Sequence, residues 1–137
     1  MIKITPEPLS PEAIINLVRT DASGGIVSYV GLIRDNSRGK TVATVTYGDP
    51  DGKAESRLAA IAAEAKAGWK VSEIAIHHRV AQLNVGDINV VVAVSAPHRK
   101  AAFDACGFII DQFKDRLPTH KVETYTDGSA FTFTPDA

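Results

Sequence analysis

The chain has 137 residues, 45% of them hydrophobic and 23% charged, with 15 Lys and Arg against 16 Asp and Glu. This composition excludes a disordered chain, and the net charge of −1 argues against general nucleic-acid binding, which needs a strongly basic surface. Apolar runs such as residues 90–94 are too short to span a membrane, and the single cysteine excludes an intrachain disulfide and a thiolate-rich zinc site.

The positive charges are clustered along the chain, at residues 34–40, 99–100 and 114–121. Such clusters in a nearly neutral protein favour a small anion as ligand. No linker, repeat or low-complexity stretch divides residues 1–137, so we expect a single domain. Residues 1–6 lack the apolar run of a secretory signal, and we therefore expect a cytoplasmic protein.

The N-terminal segment predicts a strand and a helix. Residues 2–4 alternate in polarity as a short edge strand, and Ser10 followed by Pro11 is typical of a helix N-cap and first turn. We expect the helix to end near residues 21–25. Its apolar stripe comprises Ala13, Ile14, Leu17 and Val18.

A hairpin is predicted next. Residues 25–33 are rich in β-branched side chains and predict a buried strand, while residues 42–47 alternate with period two. We expect these two strands to pair, with the polar, cationic loop 34–40 at the tip. Residues 49–52 have the composition of a tight turn.

The rest of the chain predicts two helices and four strands. The first helix follows the turn, and its apolar stripe comprises Leu58, Ile61, Ala62, Ala65 and Trp69. Strands are expected at residues 71–80 and 88–95, a helix at 98–115, and a terminal hairpin at 120–126 and 129–134. The stripe of the long helix comprises Ala102, Cys106, Ile109 and Phe113. This order predicts an α+β fold with a largely antiparallel sheet.

Three features that resemble reactive sites have simpler structural interpretations. Cys106 lies two helical turns from His98 and on the apolar stripe, so we interpret it as a small buried hydrophobe. His77 and His78 point to opposite faces of a strand and cannot easily share a metal ion, so we expect no metal site. The glycines 24–25 precede a strand rather than a helix, the wrong context for a phosphate loop.

Two cationic positions are candidates for anion binding. His98 and Arg99 open the long helix, where cations oppose the helix dipole unless an anion binds. The alternative there is a solvated Arg. Arg34, at the end of a strand, is better anchored than Arg38 and Lys40, which we assign to solubility.

The two C-terminal lysines leave alternatives open. Lys114 lies three residues after Asp111, which is compatible with an ordinary surface pair or with a reactive lysine. Lys121 and Glu123 share one face of a strand, with Tyr125 beyond them. That spacing fits either a weak surface pair or a lysine held in place by a carboxylate.

Read in order, several short motifs make the chain similar to a known family over about residues 25–131. They are Gly31-Leu32-Ile33-Arg34, His77-His78-Arg79-Val80, Gly86-Asp87, Ser95-Ala96-Pro97-His98-Arg99, Ala102-Phe103, Ile110-Asp111, Lys114, Pro118, Lys121 and Glu123. The family that these motifs resemble is the large, catalytic subunit of molybdopterin synthase. Each motif alone is weak, but their order and separation are specific.

The resemblance implies an α/β-hammerhead fold with an additional antiparallel β subdomain. It implies a sulfurtransferase that converts cyclic pyranopterin monophosphate into the dithiolene of molybdopterin, with sulfur carried as a thiocarboxylate on the Gly-Gly tail of a small ubiquitin-like subunit. The large subunit is expected to form a homodimer within a heterotetramer, and no cofactor is required. Neither a nucleic acid nor a membrane is expected as a partner.

Site residues follow from the resemblance by position. The catalytic lysines would be Lys114 and Lys121. The substrate-binding residues would be Arg34, His98, Arg99, Lys114, Lys121, Val122 and Glu123. Because a lysine is almost fully protonated at pH 7, we expect Lys121, beside Glu123, to act as a fixed charge or proton donor. Lys114, with Arg116 nearby, is the candidate for a partly deprotonated base.

The chain also departs from the family pattern. Gly48, Pro50 and Lys53 stand where a glutamate, an aromatic residue and a methionine are usual, and His120 and Phe131 stand where tryptophans are common. We expect these changes to affect partner contacts and pocket shape rather than the core chemistry. The main alternative function is a non-enzymatic, dimeric anion- or nucleotide-binding regulatory module, with a cysteine hydrolase as a remote third.

Overall fold

The computed structural model describes residues 1–135, which form three helices and nine strands. In chain order they are β1 (Ile2–Thr5), α1 (Pro11–Leu17), β2 (Gly25–Leu32), β3 (Asn36–Ser37), β4 (Lys40–Gly48), α2 (Ala54–Gly68), β5 (Glu73–Arg79), β6 (Gln82–Asn84), β7 (Ile88–Ala96), α3 (Arg99–Asp115), β8 (His120–Tyr125) and β9 (Ala130–Phe133). The α+β prediction is confirmed.

The strands form two sheets. The first has the order β1-β5-β7-β2, in which only the β1–β5 pair is parallel. The second has the order β3-β4-β8-β9, with β6 pairing on β4. It is the additional antiparallel sheet that the resemblance implied. Helices α2 and α3 pack together and cover one face of the first sheet, while α1 covers the other.

The prediction for α1 is confirmed at its N-cap, whereas its end and part of its apolar stripe differ from the prediction. Ser10 accepts a hydrogen bond from the amide of Ala13, as an N-cap should. Helix α1 ends at Leu17, earlier than predicted, and Leu17 is 47% exposed. Ala13 is also exposed, so only Ile14 and Val18 of the predicted stripe are buried. The helix is too short to bury a wider stripe.

The predicted hairpin between residues 25–33 and 42–47 is wrong. Strand β2 pairs with β7 in the first sheet, whereas β4 lies in the second and pairs with β3, β6 and β8. The cationic segment instead folds back as a tight β3–β4 hairpin, with Arg38 at φ 56° and Gly39 at φ 74°. Both positive φ values are typical of the two-residue turns whose twist matches antiparallel strands. Strand β2 is an edge strand and half-buried rather than buried.

The long helix behaves as predicted. All four residues of its apolar stripe are buried, and they pack on β7 and α2 in the main core. Cys106 is 4% exposed, and burial raises the pKa of its thiol to about 11. A thiol of that pKa is almost fully protonated at neutral pH, so the interpretation of Cys106 as a small buried hydrophobe is confirmed.

One buried imidazole joins the two sheets and the long helix. His78, on β5, is fully buried, while its neighbour His77 is only half-buried, as their alternation predicted. The His78 Nδ1 atom lies 2.8 Å from the carbonyl oxygen of Asn89 on β7, and Nε2 lies 2.9 Å from Thr119 Oγ1. Its ring packs edge-on between Tyr47 and Phe113, with centroid distances of 4.9 and 5.1 Å.

The contacts of His78 determine its protonation. Because a carbonyl can only accept, Nδ1 must carry the proton, and Nε2 accepts from the Thr119 hydroxyl. Burial lowers the pKa of His78 to about 4, outweighing the hydrogen bond to Asn89, which acts in the opposite direction. His78 is therefore a neutral residue at physiological pH.

This pKa makes stability depend on pH. An unfolded histidine takes up a proton near pH 6.5, but folded His78 does so only near pH 4, so stability is lost as the pH falls between these values. We expect His78 to account for about 3 kcal/mol of lost unfolding free energy between pH 7 and pH 4. Urea denaturation at both pH values should show a much smaller difference for His78→Phe. The exposed control His98→Gln should match the wild type, and an unchanged slope in His78→Phe would contradict the assignment.

Candidate active site

A pocket opens where the end of β2 meets the second sheet. It is lined by Leu32, Ile33, Arg34, Asn36, Ser37, Val42, Val45, Tyr47, Lys121 and Glu123. Its volume of about 70 Å³ accommodates several waters or an anion of the size of phosphate, but not a large organic molecule. Three of the residues predicted from sequence, Arg34, Lys121 and Glu123, are thus brought together from segments almost 90 positions apart.

Strand register places Lys121 and Glu123 on the pocket side of the second sheet. They are two residues apart on β8 and so share one face, and they pair with Tyr47 and Val45 of β4. Lys121 Nζ lies 3.4 Å from Glu123 Oε2. The side chain of Glu123 is 6% exposed and that of Lys121 is 27% exposed. Of the two interpretations left open by the spacing, the structure favours a lysine held in place by a carboxylate.

Glu123 is ionised despite its burial. Burial alone would raise the pKa of its carboxyl group, but hydrogen bonds from Ser37 and Tyr125 and the charge of Lys121 together lower the pKa below its ordinary value. The Tyr125 hydroxyl donates to Glu123 Oε1 over 2.8 Å. A carboxylate saturated by donors in this way is a fixed negative charge, and it orients the Lys121 ammonium at the pocket wall.

Arg34 leaves the pocket with a net positive charge. It follows the end of β2, and it makes none of the salt bridges found among residues 1–135. Since Glu123 compensates Lys121, the guanidinium of Arg34 is the charge left to attract an anion. A planar guanidinium suits the oxygens of a phosphate or carboxylate.

His98 and Arg99 do not reach this pocket within one chain. In the register of β2 with β7, Gly25 lies opposite Ala96 and Leu32 opposite Ile88. His98 therefore lies beyond one end of β2 and Arg34 beyond the other, separated by about 23 Å of extended strand. Both His98 and Arg99 are exposed at the start of α3. Their distance from Arg34 is a consequence of strand length.

Lys114 and Val122 are not among the residues that line the pocket. Lys114 is exposed in the last turn of α3, next to Phe113, whose ring contacts His78 behind the pocket wall. The nearby Arg116 donates to Glu64 of α2 over 2.7 Å, so its charge is compensated away from Lys114. Val122 alternates with Lys121 on β8 and faces the other side of the sheet.

Sequence reasoning missed several residues of the site. Ser37 was only part of the polar loop 34–40, yet it donates to Glu123, and Tyr47 was only a strand residue, yet it lines the pocket. Tyr125 was recognisable, because period two places it on the face of Lys121 and Glu123. Asn89 carried a signal too, since it is the one polar residue in the apolar run of β7 before Ser95.

A metal-binding cluster and a membrane-spanning helix are both absent from the described residues. Within residues 1–135, no group of three or more His, Cys, Asp or Glu side chains is arranged to hold a metal ion. None of the three helices in that range has both the length and the apolarity to cross a membrane.

The fold and the pocket define a class of protein: an α+β protein whose two sheets meet at a small pocket lined by Arg34, Lys121 and Glu123. Comparison with known proteins makes this specific. Residues 4–116 match the family model described as MoaE protein, and the chain belongs to that family.

Relatives and solved structures agree with this membership. The molybdopterin synthase catalytic subunit of Nostoc is 39% identical over 128 residues, covering 93% of this chain and 78% of the relative. The crystal structure of molybdopterin synthase from Staphylococcus aureus superposes with a TM-score of 0.86 at 30% identity, covering 96% of this chain and 95% of that one. A complex of subunits 1 and 2 of the molybdopterin-converting factor from Helicobacter pylori shares the fold, with a TM-score of 0.73 at 16% identity over 95% and 88% of the chains.

The ion pair of the pocket can be tested without a ligand. Replacing Lys121 by Met removes the charge that helps to hold the pKa of Glu123 down, while burial, which acts in the opposite direction, remains. We expect the pKa of Glu123 to rise, as measured by carbon NMR titration of the glutamate carboxyl groups. The control Lys66→Met removes a lysine that pairs with Glu73 outside the pocket, and it should leave Glu123 unchanged. An unshifted Glu123 in Lys121→Met would show that the pair is not electrostatically coupled.

Proposed function

We propose that this chain is the catalytic subunit of a molybdopterin synthase. It acts as a sulfurtransferase that moves sulfur from the thiocarboxylated tail of a small ubiquitin-like subunit to cyclic pyranopterin monophosphate. The observation that carries the proposal is the juxtaposition of Arg34 and Lys121 in one pocket, with Glu123 buried behind the lysine. Two similar proteins, 39% and 30% identical to this chain over the matched residues, are named as a molybdopterin synthase catalytic subunit and a molybdopterin synthase.

Electrostatics explains why such a reaction needs this pocket. The phosphorylated pterin and the thiocarboxylate are both anions, so they repel each other unless fixed cations lie between them. In this proposal Arg34 binds an anionic group of the substrate. Lys121, oriented by Glu123, stabilises the negative charge that develops as sulfur is transferred or donates a proton there.

We propose that a second copy of the chain completes the site. The pocket is open to solvent, and in this proposal it holds an anionic group of the substrate while the rest of the substrate extends outside it. His98 and Arg99 lie too far away in the same chain, and Phe103, one turn further along α3, is 60% exposed. In this proposal the partner copy covers Phe103 together with the two cations. In the proposed homodimer, His98 and Arg99 of one copy meet the pocket of the other.

The small subunit provides the second reactant. A Gly-Gly tail has no side chains beyond the backbone, so it can enter a narrow opening as an extended strand. The Helicobacter pylori structure with this fold is a complex of two subunits, which supports a heteromeric assembly. In this proposal Lys114, exposed in the last turn of α3, contacts the incoming tail. The alternative of a non-enzymatic anion-binding module has no support among the relatives, which are named as catalytic subunits.

The lysines provide the first test of the reaction. With a thiocarboxylated carrier and cyclic pyranopterin monophosphate, we expect Lys121→Ala to lower the rate of dithiolene formation by about 10²- to 10³-fold, because one preorganised charge is lost. Lys114→Ala should also lower the rate, and the exposed control Lys3→Ala should not. If Lys114→Arg keeps full activity, Lys114 is not a base. Undiminished product from a variant lacking both lysines would refute the mechanism.

Mixing two inactive variants tests whether each site contains residues from both copies of the chain. Arg99→Ala and Lys121→Ala homodimers should both be nearly inactive, because each lacks one residue in both pockets. In a mixed dimer, one pocket combines the intact Lys121 of one chain with the intact Arg99 of the other. After unfolding and refolding an equal mixture, we expect activity to recover to about a quarter of the wild-type level. No recovery, with mixed dimers shown by native mass spectrometry, would place both residues in the same chain's site.

A further inference from the structure

A β-bulge lies directly behind the pocket. Gly31 pairs with Val90 and Leu32 pairs with Ile88, so Asn89 is an extra residue in β7. Bulges re-aim side chains and are frequent next to active sites. Here the bulge turns the Asn89 carboxamide out of the first sheet, and Nδ2 donates to the hydroxyl of Tyr47 on β4 over 3.0 Å. This hydrogen bond connects the two sheets at the pocket.

Asn89 is unfavourable for stability at this position. It is 8% exposed in an otherwise apolar segment, and its Oδ1 atom has no hydrogen-bond partner among the described residues. An unpaired buried acceptor costs free energy that an apolar side chain would avoid. The carboxamide also needs a glycine opposite, because a Cβ atom on Gly31 would lie 2.6 Å from Oδ1. Packing alone does not explain this residue.

Tyr47 is held on two sides. Its hydroxyl is fixed by Asn89, and its ring packs edge-on against His78, which is itself bonded to the backbone carbonyl of Asn89. Tyr47 lines the pocket and is the register partner of Lys121. Burial raises the pKa of Tyr47 to about 12, so the hydroxyl that accepts from Asn89 Nδ2 is uncharged at neutral pH.

We propose that Asn89 is a positioning residue that acts through Tyr47 to fix the pocket wall opposite Arg34 and so the location of Lys121. Asn89 itself does not line the pocket, and it affects the reaction only through the Tyr47 hydroxyl. The inference rests on the proposed sulfur transfer, because Lys121 needs a fixed location only if it acts on a reacting group. Small displacements of such a group lower the rate more than they weaken binding.

The test is a double-mutant comparison of kinetics. Tyr47→Phe removes only the hydroxyl, and Asn89→Ala removes only the carboxamide. We expect each to lower kcat about tenfold with KM little changed, and the double variant to lose no more than either single variant. Val18→Ala, a cavity variant in the separate cluster under α1, controls for lost stability and should keep its kcat. Unchanged kcat in Tyr47→Phe, or losses that multiply in the double variant, would overturn the proposal.

A second measurement does not need the reaction. The side-chain NMR signals of Lys121 should shift in Tyr47→Phe and in the milder Asn89→Ser, and should stay in place in Val18→Ala. If the wild type forms no dithiolene but these signals shift, the proposed reaction fails while the positioning holds. If the wild type is active and Lys121 signals stay unchanged in Tyr47→Phe, the positioning is wrong and the reaction stands. Asn89→Ser also keeps the test available if Asn89→Ala does not fold.

Discussion

The neutral imidazole of His78 is the constraint on which the rest of the structure depends. It is bonded at Nδ1 to the bulge of the first sheet and at Nε2 to Thr119, two residues before Lys121. Its ring fills the space between the second sheet and the long helix. Because each nitrogen has one partner and one role, the imidazole fixes the relative placement of the sheets that form the pocket. Three charged residues, Arg34, Lys121 and Glu123, then line the pocket between these sheets.

The charges of the pocket are also balanced by few residues. Glu123 is buried and satisfied by hydroxyl groups, so it serves as a fixed negative charge for one lysine and leaves Arg34 free. A pocket with this balance attracts an anion without a high overall charge, which agrees with a net charge of −1 for the chain. Because the chain as a whole is nearly neutral, the attraction for an anion is confined to the pocket.

Local patterns in the sequence were sufficient for most elements and insufficient for their pairing. The N-cap at Ser10 and the stripe of α3 are set by near neighbours, and both predictions are confirmed. The pairing of β2 with β7 is set by contacts between residues 56 to 71 positions apart, which alternation of polarity cannot distinguish from a local hairpin. The three-residue β6 is too short to produce a periodic signal.

The site shows the same limit. The spacing of Lys121 and Glu123 predicts a shared face, and the structure places them together. The separation of Arg34 from His98 depends on strand register, which no local pattern encodes. The contribution of Asn89 depends on a bulge, whose only trace in the sequence is a polar residue in an apolar run.

The close approach of Gly31 to Asn89 has a consequence for how the sequence can diverge. A Cβ atom at position 31 would lie 2.6 Å from Asn89 Oδ1 and 2.7 Å from Val90 Cγ1, so a methyl group is accommodated there only after both of these neighbours have moved or become smaller. Position 31 is therefore epistatic with positions 89 and 90. A lineage that keeps the asparagine must keep the glycine, and a lineage with alanine at position 31 cannot easily regain the asparagine.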